Sequence, residues 1–240
     1  MKAIILVAGR GSRLPKNISQ KPKSLIKINS KTLIERQIQI FRSLNIKDIA
    51  LVTGYKKHMF NFLNLKKFHN ENWKKTNMVH SLTKADNWLK RYDCIVTYGD
   101  IIFTDKSFKE IIKSKSNIAV TYDSNWRKLW KKRFKDPLSD AETFIFNKNN
   151  ILQEIGMKTN NYKKIMGQFM GIIKFKPYGW KQFKNAKFEY FKKENKIYTT
   201  DILNSLAVNN KVNIKVIKYN DKWSEIDNFN DIKISKRLFK

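Results

Sequence analysis

Cysteine, histidine and long hydrophobic runs are scarce in this chain of 240 residues. Its one cysteine, Cys94, excludes an intrachain disulfide and lies in an apolar run, where we expect a small buried thiol. Its three histidines lie at scattered positions and offer no catalytic triad. The N-terminal apolar run covers only residues 3–8, which is too short for a signal peptide or a membrane span. We therefore expect a cytoplasmic protein that does not insert into a membrane.

The sequence also lacks Pro-rich hinges, low-complexity linkers and internal repeats, so nothing in it forces a domain boundary. Hydrophobic residues make up 41% of the chain and aromatic residues 13%, which is enough material for a packed core. Single α/β domains commonly reach this size. We predict one domain over residues 1–240, with a change of character near residue 122.

Acidic residues are outnumbered: 20 Asp and Glu stand against 50 Lys and Arg, for a formal net charge of +30. A charge of this size is typical of proteins that bind nucleic acid, and that class stays open as an alternative. The basic residues are mostly Lys and are spread along the whole chain, which favours compositional drift and a solvated surface. The same field would attract small polyanions.

Apolar runs alternate with helical patterns through the first half of the chain. Strands are predicted at residues 2–7, 48–53, 93–98 and 118–122, and helices at residues 32–44, 80–91 and 107–114. Thr32 is expected to cap its helix, with Glu35 completing a capping box. The strand-helix-strand order predicts parallel strand pairs with right-handed connections.

The second half of the chain differs in composition and in its pattern of predicted elements. Residues 126–142 are charged and aromatic, and they precede strand-like runs at residues 143–147, 171–175 and 212–219 and a helix at residues 200–209. We interpret this half as mixed sheet with an inserted binding segment. The predicted fold class is α/β, with a mixed, mainly parallel central sheet.

The strongest local motif follows the first strand: residues 6–14 read LVAGRGSRL, and residues 21–25 read KPKSL. Two glycines let the backbone approach a polyphosphate, loop N–H groups can bind its oxygens, and Arg13 and Lys23 can neutralise its charge. The spacing fits neither the Walker loop nor the dinucleotide-binding pattern. A tight strand exit with two surface cations is the structural alternative. The candidate contacts are Leu6, Ala8, Gly9, Arg10, Gly11, Ser12, Arg13 and Lys23.

These two motifs resemble those of the sugar-phosphate nucleotidyltransferases and their phosphocholine cytidylyltransferase relatives. That family carries LAAGxG[ST]RL and, a little further on, Pro-Lys. Val7 replaces an alanine of the pattern, Pro22 and Lys23 match it, and the segment between the motifs is short. The resemblance extends over essentially the whole chain and implies a Rossmann-like nucleotidyltransferase fold.

Residues 76–82, TNMVHSL, match a further segment of the family. The resemblance implies that Asn77 and Ser81 read the edge of a pyrimidine, since amide and hydroxyl groups can both donate and accept hydrogen bonds. A helix cap and turn is the alternative. His80 is interpreted as part of the helix start and not as a ligand.

Two acidic segments remain: residues 98–100, YGD, and residues 223–227, WSEID. Asp100 follows an interior strand, where open α/β sheets place their ligand crevice, and Mg²⁺ usually needs more than one carboxylate. The resemblance implies Asp227 as the second ligand. We predict that Asp100 and Asp227 bind Mg²⁺ and act with Arg13 and Lys23 in catalysis. Alternation in an extended segment puts Glu225 on the same face as Asp227.

A second ligand is expected to bind the second half of the chain. Residues 126–130, 133–142 and 167–171 combine acids for a cationic amine, tryptophans for an aromatic face and arginines for a phosphate. A packing or dimer surface is the alternative, and both a monomer and a homodimer stay open. The candidate acceptor-binding residues are Trp126, Arg127, Trp130, Arg133, Asp136, Asp140, Glu142, Gln168 and Glu225.

This half resembles the subgroup that includes the phosphoglutamine cytidylyltransferases of bacterial capsule phosphoramidate synthesis. The resemblance implies transfer of CMP from CTP to a phosphoglutamine-, phosphocholine- or aminoethylphosphonate-type acceptor, with release of pyrophosphate. Residues 1–122 would then bind the nucleotide and residues 123–240 the acceptor. A sugar-1-phosphate uridylyl- or thymidylyltransferase stays open, because it differs only in base and acceptor. A glycosyltransferase would be expected to carry an Asp-x-Asp motif, which is not present at Asp100.

Overall fold

A mixed β-sheet organises the parts of the chain that the computed structural model describes, residues 1–11, 13–106, 108–191 and 196–240. The described strands are β1 (Lys2–Val7), β2 (Lys27–Ile28), β3 (Lys31–Thr32), β4 (Ile49–Thr53), β5 (Lys66–His69), β6 (Cys94–Tyr98), β7 (Ile101–Phe103), β8 (Ile118–Asp123), β9 (Glu142–Phe146), β10 (Leu152–Lys158), β11 (Gln168–Phe175), β12 (Ile214–Tyr219) and β13 (Trp223–Glu225). The described α-helices are α1 (Lys16–Ser19), α2 (Leu33–Ser43), α3 (Met78–Thr83), α4 (Asp86–Leu89), α5 (Phe108–Lys113), α6 (Trp126–Arg133), α7 (Pro177–Tyr190), α8 (Thr199–Val208) and α9 (Phe229–Leu238).

Within these described ranges the central sheet has seven strands in the order β12-β8-β11-β6-β1-β4-β5. Strand β1 pairs in parallel with β4 and β6, β4 with β5, and β8 with β12. Strand β11 is antiparallel to both of its neighbours, β6 and β8. The sheet is therefore mixed and mainly parallel, which confirms the predicted α/β class. It takes strands from both halves of the chain.

The sheet is buried on both faces, which explains why its inner strands are continuous apolar runs. In β1, Ile4 and Ile5 point to opposite faces and both are fully buried. Helices α3, α4, α7 and α8 contribute to the core on one face. Helices α2, α5 and α6 contribute to the core on the other face. The result is a three-layer α/β/α arrangement.

Helix α2 begins as its sequence predicts. The Glu35 backbone N–H donates to the Thr32 hydroxyl at 3.2 Å, and the Thr32 N–H donates to a Glu35 carboxylate oxygen at 2.8 Å. The capping box is thus confirmed. The helix predicted at residues 80–91 is instead the two short helices α3 and α4. Beside the break, the Asp86 carboxylate accepts a hydrogen bond from the Trp180 indole at 2.7 Å, a tertiary contact that local periodicity does not encode.

The second half contains more regular structure than the sequence predicts. Residues 126–142 include α6 and a 3₁₀ turn at Pro137–Ser139, and helices α7 and α9 were not predicted. Helix α7 lacks a side-chain cap, and its buried positions include Gly179, Trp180, Phe183 and Ala186. The stability of this helix therefore comes from packing against the sheet more than from capping residues at its ends.

Six strands of the central sheet share one direction, so their carboxyl ends meet at one edge. Strand β11 runs the other way and brings its first residue, Gln168, to that edge opposite Asp123 of β8. The loops after β1 and β6 also leave the sheet there. This is the edge where open α/β sheets bind ligands. No described helix has the length and apolarity needed to cross a membrane.

Candidate active site

Two clefts open at the carboxyl edge of the sheet and meet at Arg13 and Met78, which line both. The first cleft, about 300 Å³, lies over the ends of β1 and β6. The second cleft, about 280 Å³, is formed largely by residues from the second half of the chain. The predicted nucleotide-binding residues that line the first cleft are Leu6, Ala8, Gly9, Gly11, Arg13, Lys23, Asn77, Ser81 and Asp100.

The turn after β1 depends on its glycines. Gly11 has a φ of +73°, and a Cβ added there would lie 2.5 Å from Cγ of Lys23. A side chain at residue 11 would therefore be strained and would displace Lys23. A Cβ added at Gly9 would meet nothing within 4 Å, so the backbone of Gly9 faces open space. This combination leaves room for a bulky anion beside the turn.

Lys23 bridges two acidic residues, Asp100 of the first half of the chain and Asp227 of the second half. Its Nζ donates to Asp100 at 3.1 Å and to Asp227 at 2.6 Å. Burial acts to lower the pKa of Lys23, but the charges of Asp100 and Asp227 outweigh it and raise the pKa above its usual value. Lys23 is therefore held as a cation between two carboxylates.

Asp100 and Asp227 are neighbours because two short strands pair. Strand β7 begins directly after Asp100, and β13 ends shortly before Asp227. The two strands are antiparallel, with Glu225 opposite Ile101, and the Ile226 N–H donates to the Asp100 carbonyl at 2.9 Å. This pairing brings together the two segments that the sequence suggested separately.

The carboxylates of Asp100, Glu225 and Asp227 form one cluster, with one oxygen from each lying within 4.8 Å of the others. Burial, and then the charge of Asp227, raises the pKa of Glu225 well above its usual range. Burial acts to raise the pKa of Asp227 too, but Lys23 and Arg13 outweigh it and lower this pKa. Arg13 Nη2 donates to Asp227 at 2.7 Å. The cluster therefore couples three acids to two cations.

Arg133 contacts this cluster from the protein interior. Its guanidinium is fully buried and donates from Nε to Asp231 at 2.9 Å, while other nitrogens lie 3.5 Å from Glu225 and 3.6 Å from Asp227. Asp231 in turn accepts a hydrogen bond from the Asp227 backbone N–H at 2.8 Å. The sequence suggested that Arg133 binds an acceptor phosphate. The structure places it in the protein interior, where it holds the backbone and side chain of a predicted metal ligand.

Asn77 and Ser81 both line the first cleft, but their hydrogen bonding differs. The Ser81 hydroxyl donates to the Asn77 carbonyl at 3.1 Å and accepts from the Asn70 amide at 2.9 Å. Ser81 is therefore occupied in holding the turn. Both polar atoms of the Asn77 side chain are buried and have no hydrogen-bond partner among the described residues. Buried polar groups seldom stay unpaired, and the Asn77 amide, which lines the cleft, retains its full capacity to donate and accept hydrogen bonds.

Two other residues that were predicted to contact the nucleotide, Arg10 and Ser12, are not among those that line the first cleft in the described part of the chain. Ser12 lies outside the described residues. Arg10 is exposed and does not line the first cleft; its guanidinium lies 5.7 Å from the centre of the Tyr55 ring. The roles assigned to both stay predictions.

The second cleft receives five of the nine predicted acceptor-binding residues: Trp130, Asp140, Glu142, Gln168 and Glu225. Trp130 donates from its indole nitrogen to Asp140 at 3.0 Å. Gln168 donates to the Glu142 carbonyl at 2.7 Å and thereby fixes the start of β9. Burial raises the pKa of Glu142. The cleft thus joins an indole to several carboxylates.

The remaining predicted acceptor-binding residues lie elsewhere. Trp126 is buried in the core and packs edge-to-face on Trp130 at 6.0 Å, so it supports the cleft without lining it. Arg127 is exposed and stacks over Tyr162 at 4.7 Å. Asp136 is exposed and caps the 3₁₀ turn by accepting from the Leu138 N–H at 3.0 Å. Helix periodicity separates these residues, because α6 turns Trp126 and Trp130 inward and Arg127 outward.

Several residues that line the clefts could not be identified from the sequence. Trp73 borders the first cleft and packs on Tyr55 with ring centres 5.2 Å apart. Lys158 and the exposed Tyr198 border the second cleft. They lie in segments without a recognisable motif. Lys158 ends β10 and Tyr198 precedes α8, so the tertiary positions of these two elements bring both residues to the cleft.

The first cleft suits a polyphosphate, and it opens onto a second, acidic cleft beside a lysine held between carboxylates. This arrangement is compatible with an enzyme that binds a nucleotide next to a second ligand. The protein is a nucleotidyltransferase. The chain belongs to the family of the MobA-like NTP transferase domain, which it matches over residues 3–144. The family relationship expected from the motifs is confirmed.

Individual relatives agree with this assignment. The chain is 33% identical to the CTP:phosphoglutamine cytidylyltransferase of Campylobacter jejuni, over 98% of each protein. Its fold is similar to that of the CTP:phosphocholine cytidylyltransferase from Streptococcus pneumoniae, with a TM-score of 0.77 at 20% identity over 100% of this chain and 99% of the other. It is also similar to the inositol-1-phosphate CTP transferase from T. maritima, with a TM-score of 0.77 at 18% identity over 100% and 95%.

Proposed function

We propose that the protein transfers CMP from CTP to a small phosphate- or phosphonate-bearing acceptor with a zwitterionic head group, and releases pyrophosphate. The observation that carries this proposal is the position of Lys23, Asp100 and Asp227 at the junction of the two clefts. The relatives that use CTP support the choice of nucleotide.

The chemistry requires no nucleophilic side chain. An oxygen of the acceptor phosphate attacks the α-phosphorus of CTP, a new P–O bond forms, and the bond to the bridging α–β oxygen breaks. The bridging oxygen leaves with pyrophosphate. The two reactants are anions that repel each other, so the enzyme contributes by aligning them and by neutralising charge. Arg13, which lines both clefts, and Lys23 supply that positive charge.

Asp100 and Asp227 would hold Mg²⁺, and Glu225 lies beside them facing the second cleft. Their oxygens lie close enough to share one cation, and carboxylates with phosphate oxygens are the ligand set that Mg²⁺ prefers. The ammonium group of Lys23 already lies between two of these carboxylates, which supports the view that they favour a cation there. The bound ion would neutralise charge on the reacting phosphates. Arg133 and Asp231 would keep Asp227 oriented.

The nucleotide would enter the first cleft with its phosphates at the turn after β1 and its base at Asn77. The unpaired amide of Asn77 can donate to one atom of a pyrimidine edge and accept from another. Trp73 also lines this cleft and offers an apolar surface. This arrangement suits cytosine, which has an acceptor beside an amino group.

The acceptor would occupy the second cleft, whose charges suit a zwitterion. Asp140, Glu142 and Glu225 offer carboxylates to an amine, and the indole of Trp130 lies beside Asp140. Arg13 and Lys158 offer cations to the acceptor's anionic groups. A neutral sugar ring would leave most of these charges without partners, which disfavours a sugar-1-phosphate.

The test is a matrix of reactions. The protein is incubated with CTP, UTP, dTTP or ATP, with Mg²⁺, and with phosphocholine, aminoethylphosphonate, phosphoglutamine or glucose-1-phosphate, and pyrophosphate release is followed. We expect turnover with CTP and an amine-bearing acceptor, and a CDP-linked product in ³¹P NMR. Turnover confined to UTP or dTTP with glucose-1-phosphate would replace the proposal with the sugar-1-phosphate alternative.

A matched pair of variants controls this experiment. Lys23→Ala removes the cation at the junction, whereas Lys21→Ala removes an exposed cation two residues earlier. Release that survives Lys23→Ala at the wild-type rate would come from a contaminant or from a different site.

A further inference from the structure

A third cavity lies beyond the two clefts at the same edge of the sheet. Its volume is about 750 Å³, within the range of small-molecule sites. It opens at the carboxyl ends of β8 and β12, between helices α6 and α9. The junction residues Arg13, Lys23 and Asp100 do not line it. Trp223 lines both this cavity and the second cleft and so separates them.

The rim of this cavity is cationic. Lys128 and Lys132 come from α6, Arg237 comes from α9, and Lys222 precedes β13. All four are exposed, and their side chains make no hydrogen bond or ion pair with any residue of the described ranges. Cations of this kind, grouped around one cavity, attract a multiply charged anion.

The acids at the cavity do not neutralise this rim. The Asp221 carboxylate accepts from the Thr104 hydroxyl and from the Lys222 N–H. Asp123 is buried and accepts from the Asn125 N–H at 2.7 Å. Both carboxylates are thus engaged with neighbouring groups, and the four cations outnumber them.

The floor of the cavity is apolar. Leu129 and Trp223 are almost fully buried, and Ile234 and Leu238 add aliphatic surface from α9. A bare phosphate would leave this surface against water, whereas a ligand with a flat apolar body would cover it. The cavity is therefore matched to an anion that also carries an apolar group.

We propose that this cavity is a second, non-catalytic site for an organic phosphate that combines at least two negative charges with an apolar or aromatic body, and that its occupancy modulates the enzyme. The elements around it also hold the catalytic carboxylates. Helix α6 carries Arg133, β13 carries Glu225, and the first turn of α9 carries Asp231, which binds Arg133. A ligand between α6 and α9 therefore acts on the groups that orient Asp227 and on the wall of the second cleft.

Binding is tested by calorimetry with ATP and with inorganic pyrophosphate, in a Lys23→Ala background that weakens the catalytic cleft. The variant Lys132→Ala/Arg237→Ala neutralises two rim cations. The control Lys131→Ala/Lys236→Ala removes the same charge from adjacent positions of the same helices, where the side chains do not line the cavity. Any residual binding at the catalytic cleft is common to both.

We expect ATP affinity to fall about tenfold or more in Lys132→Ala/Arg237→Ala and to stay within twofold in the control, because only the first removes charge-assisted contacts. Pyrophosphate is expected to bind more weakly than ATP, since it cannot cover the floor. Equal losses in both double variants, or no loss in either, would overturn the site. Pyrophosphate binding as tightly as ATP would overturn the apolar part of the ligand.

The modulation is tested by turnover and rests on the proposed function. With Lys23 intact, ATP is expected to change the KM for the acceptor by about twofold or more, and Lys132→Ala/Arg237→Ala is expected to abolish the change while leaving turnover without ATP unaltered. An unchanged KM alongside intact binding would overturn the modulating role. Absence of any turnover would count against the proposed function, and the binding result would stand.

Discussion

The two clefts that meet at Arg13 and Met78 are built in different ways. The first takes its largest continuous segment from one motif, the end of β1 and the turn after it, which includes the backbone of Gly9 and Gly11. The second is formed by side chains that several strands and helices of the second half supply. A backbone-lined cleft suits a polyphosphate, which is common to all nucleotides, whereas a cleft lined by side chains can change its specificity by substitution. Under the proposed function, nucleotide binding depends mainly on the first half of the chain and acceptor choice mainly on the second, while Asp227 of the second half joins the two clefts.

Asp227→Asn should have the largest effect, because Asp227 connects the two clefts. It contacts Arg13 and Lys23, and it is one of the proposed metal ligands. We expect turnover to fall about a hundredfold to a thousandfold with every acceptor. Initial rates of pyrophosphate release measure this. Asp48→Asn, at an exposed position, is the control. A loss of less than tenfold in Asp227→Asn would contradict the proposal that Asp227 serves both clefts.

Lys23→Ala should have the second largest effect on turnover. The ammonium group lies between Asp100 and Asp227, and its loss removes charge that stabilises the transition state. We expect kcat to fall about a hundredfold, with less change in either KM. Steady-state kinetics beside Lys21→Ala checks this, and circular dichroism verifies the fold. If only the KM for the nucleotide changed, Lys23 would belong to binding alone.

Asn77→Ala tests the first cleft by itself. Its unpaired amide is expected to bind the base, so the KM for CTP should rise about tenfold while the KM for the acceptor stays unchanged. Asn64→Ala, at an exposed position, is the control. Equal rises in both KM values would mean that the two clefts are not independent.

Glu142→Gln tests the second cleft by itself and should have the smallest effect. We expect the KM for an amine-bearing acceptor to rise about fivefold, with the KM for CTP unchanged. Asp136→Asn, outside the cleft, should change neither.

The pH profile sharpens this prediction. Burial raises the pKa of Glu142, so its carboxylate becomes protonated as the pH falls through a value above the usual 4.5. In the wild type the acceptor KM should therefore rise as the pH falls through that value, and in Glu142→Gln this rise should be absent. A rise of the same size in both proteins would assign the dependence to another group.

The contrast between the clefts also explains what the sequence could reveal. The turn after β1 is a local motif, and all but two of the residues predicted around the nucleotide line the first cleft: Ser12 lies outside the described residues and Arg10 lies outside the lining. The interior position of Arg133 could not be predicted, because its partners Glu225, Asp227 and Asp231 lie far away in the chain. A buried arginine and an exposed one look alike in a basic segment.

The fold shows the same division. Strands β1, β4, β6 and β8 could be predicted because they are short apolar runs buried on both faces. The antiparallel direction of β11 could not, since strand pairing is decided by contacts that are distant in sequence. The pairing of β7 with β13, which brings Asp100 to Asp227, is of this kind too.

The most direct test of the central claim, that Asp100 and Asp227 share one cation facing the nucleotide phosphates, is anomalous diffraction from crystals grown with CTP and Mn²⁺. We expect one strong anomalous peak in contact with the carboxylates of Asp100 and Asp227 and with CTP in the first cleft, and loss of this peak in Asp227→Asn. Mn²⁺ bound to the nucleotide without contacting either carboxylate would contradict it.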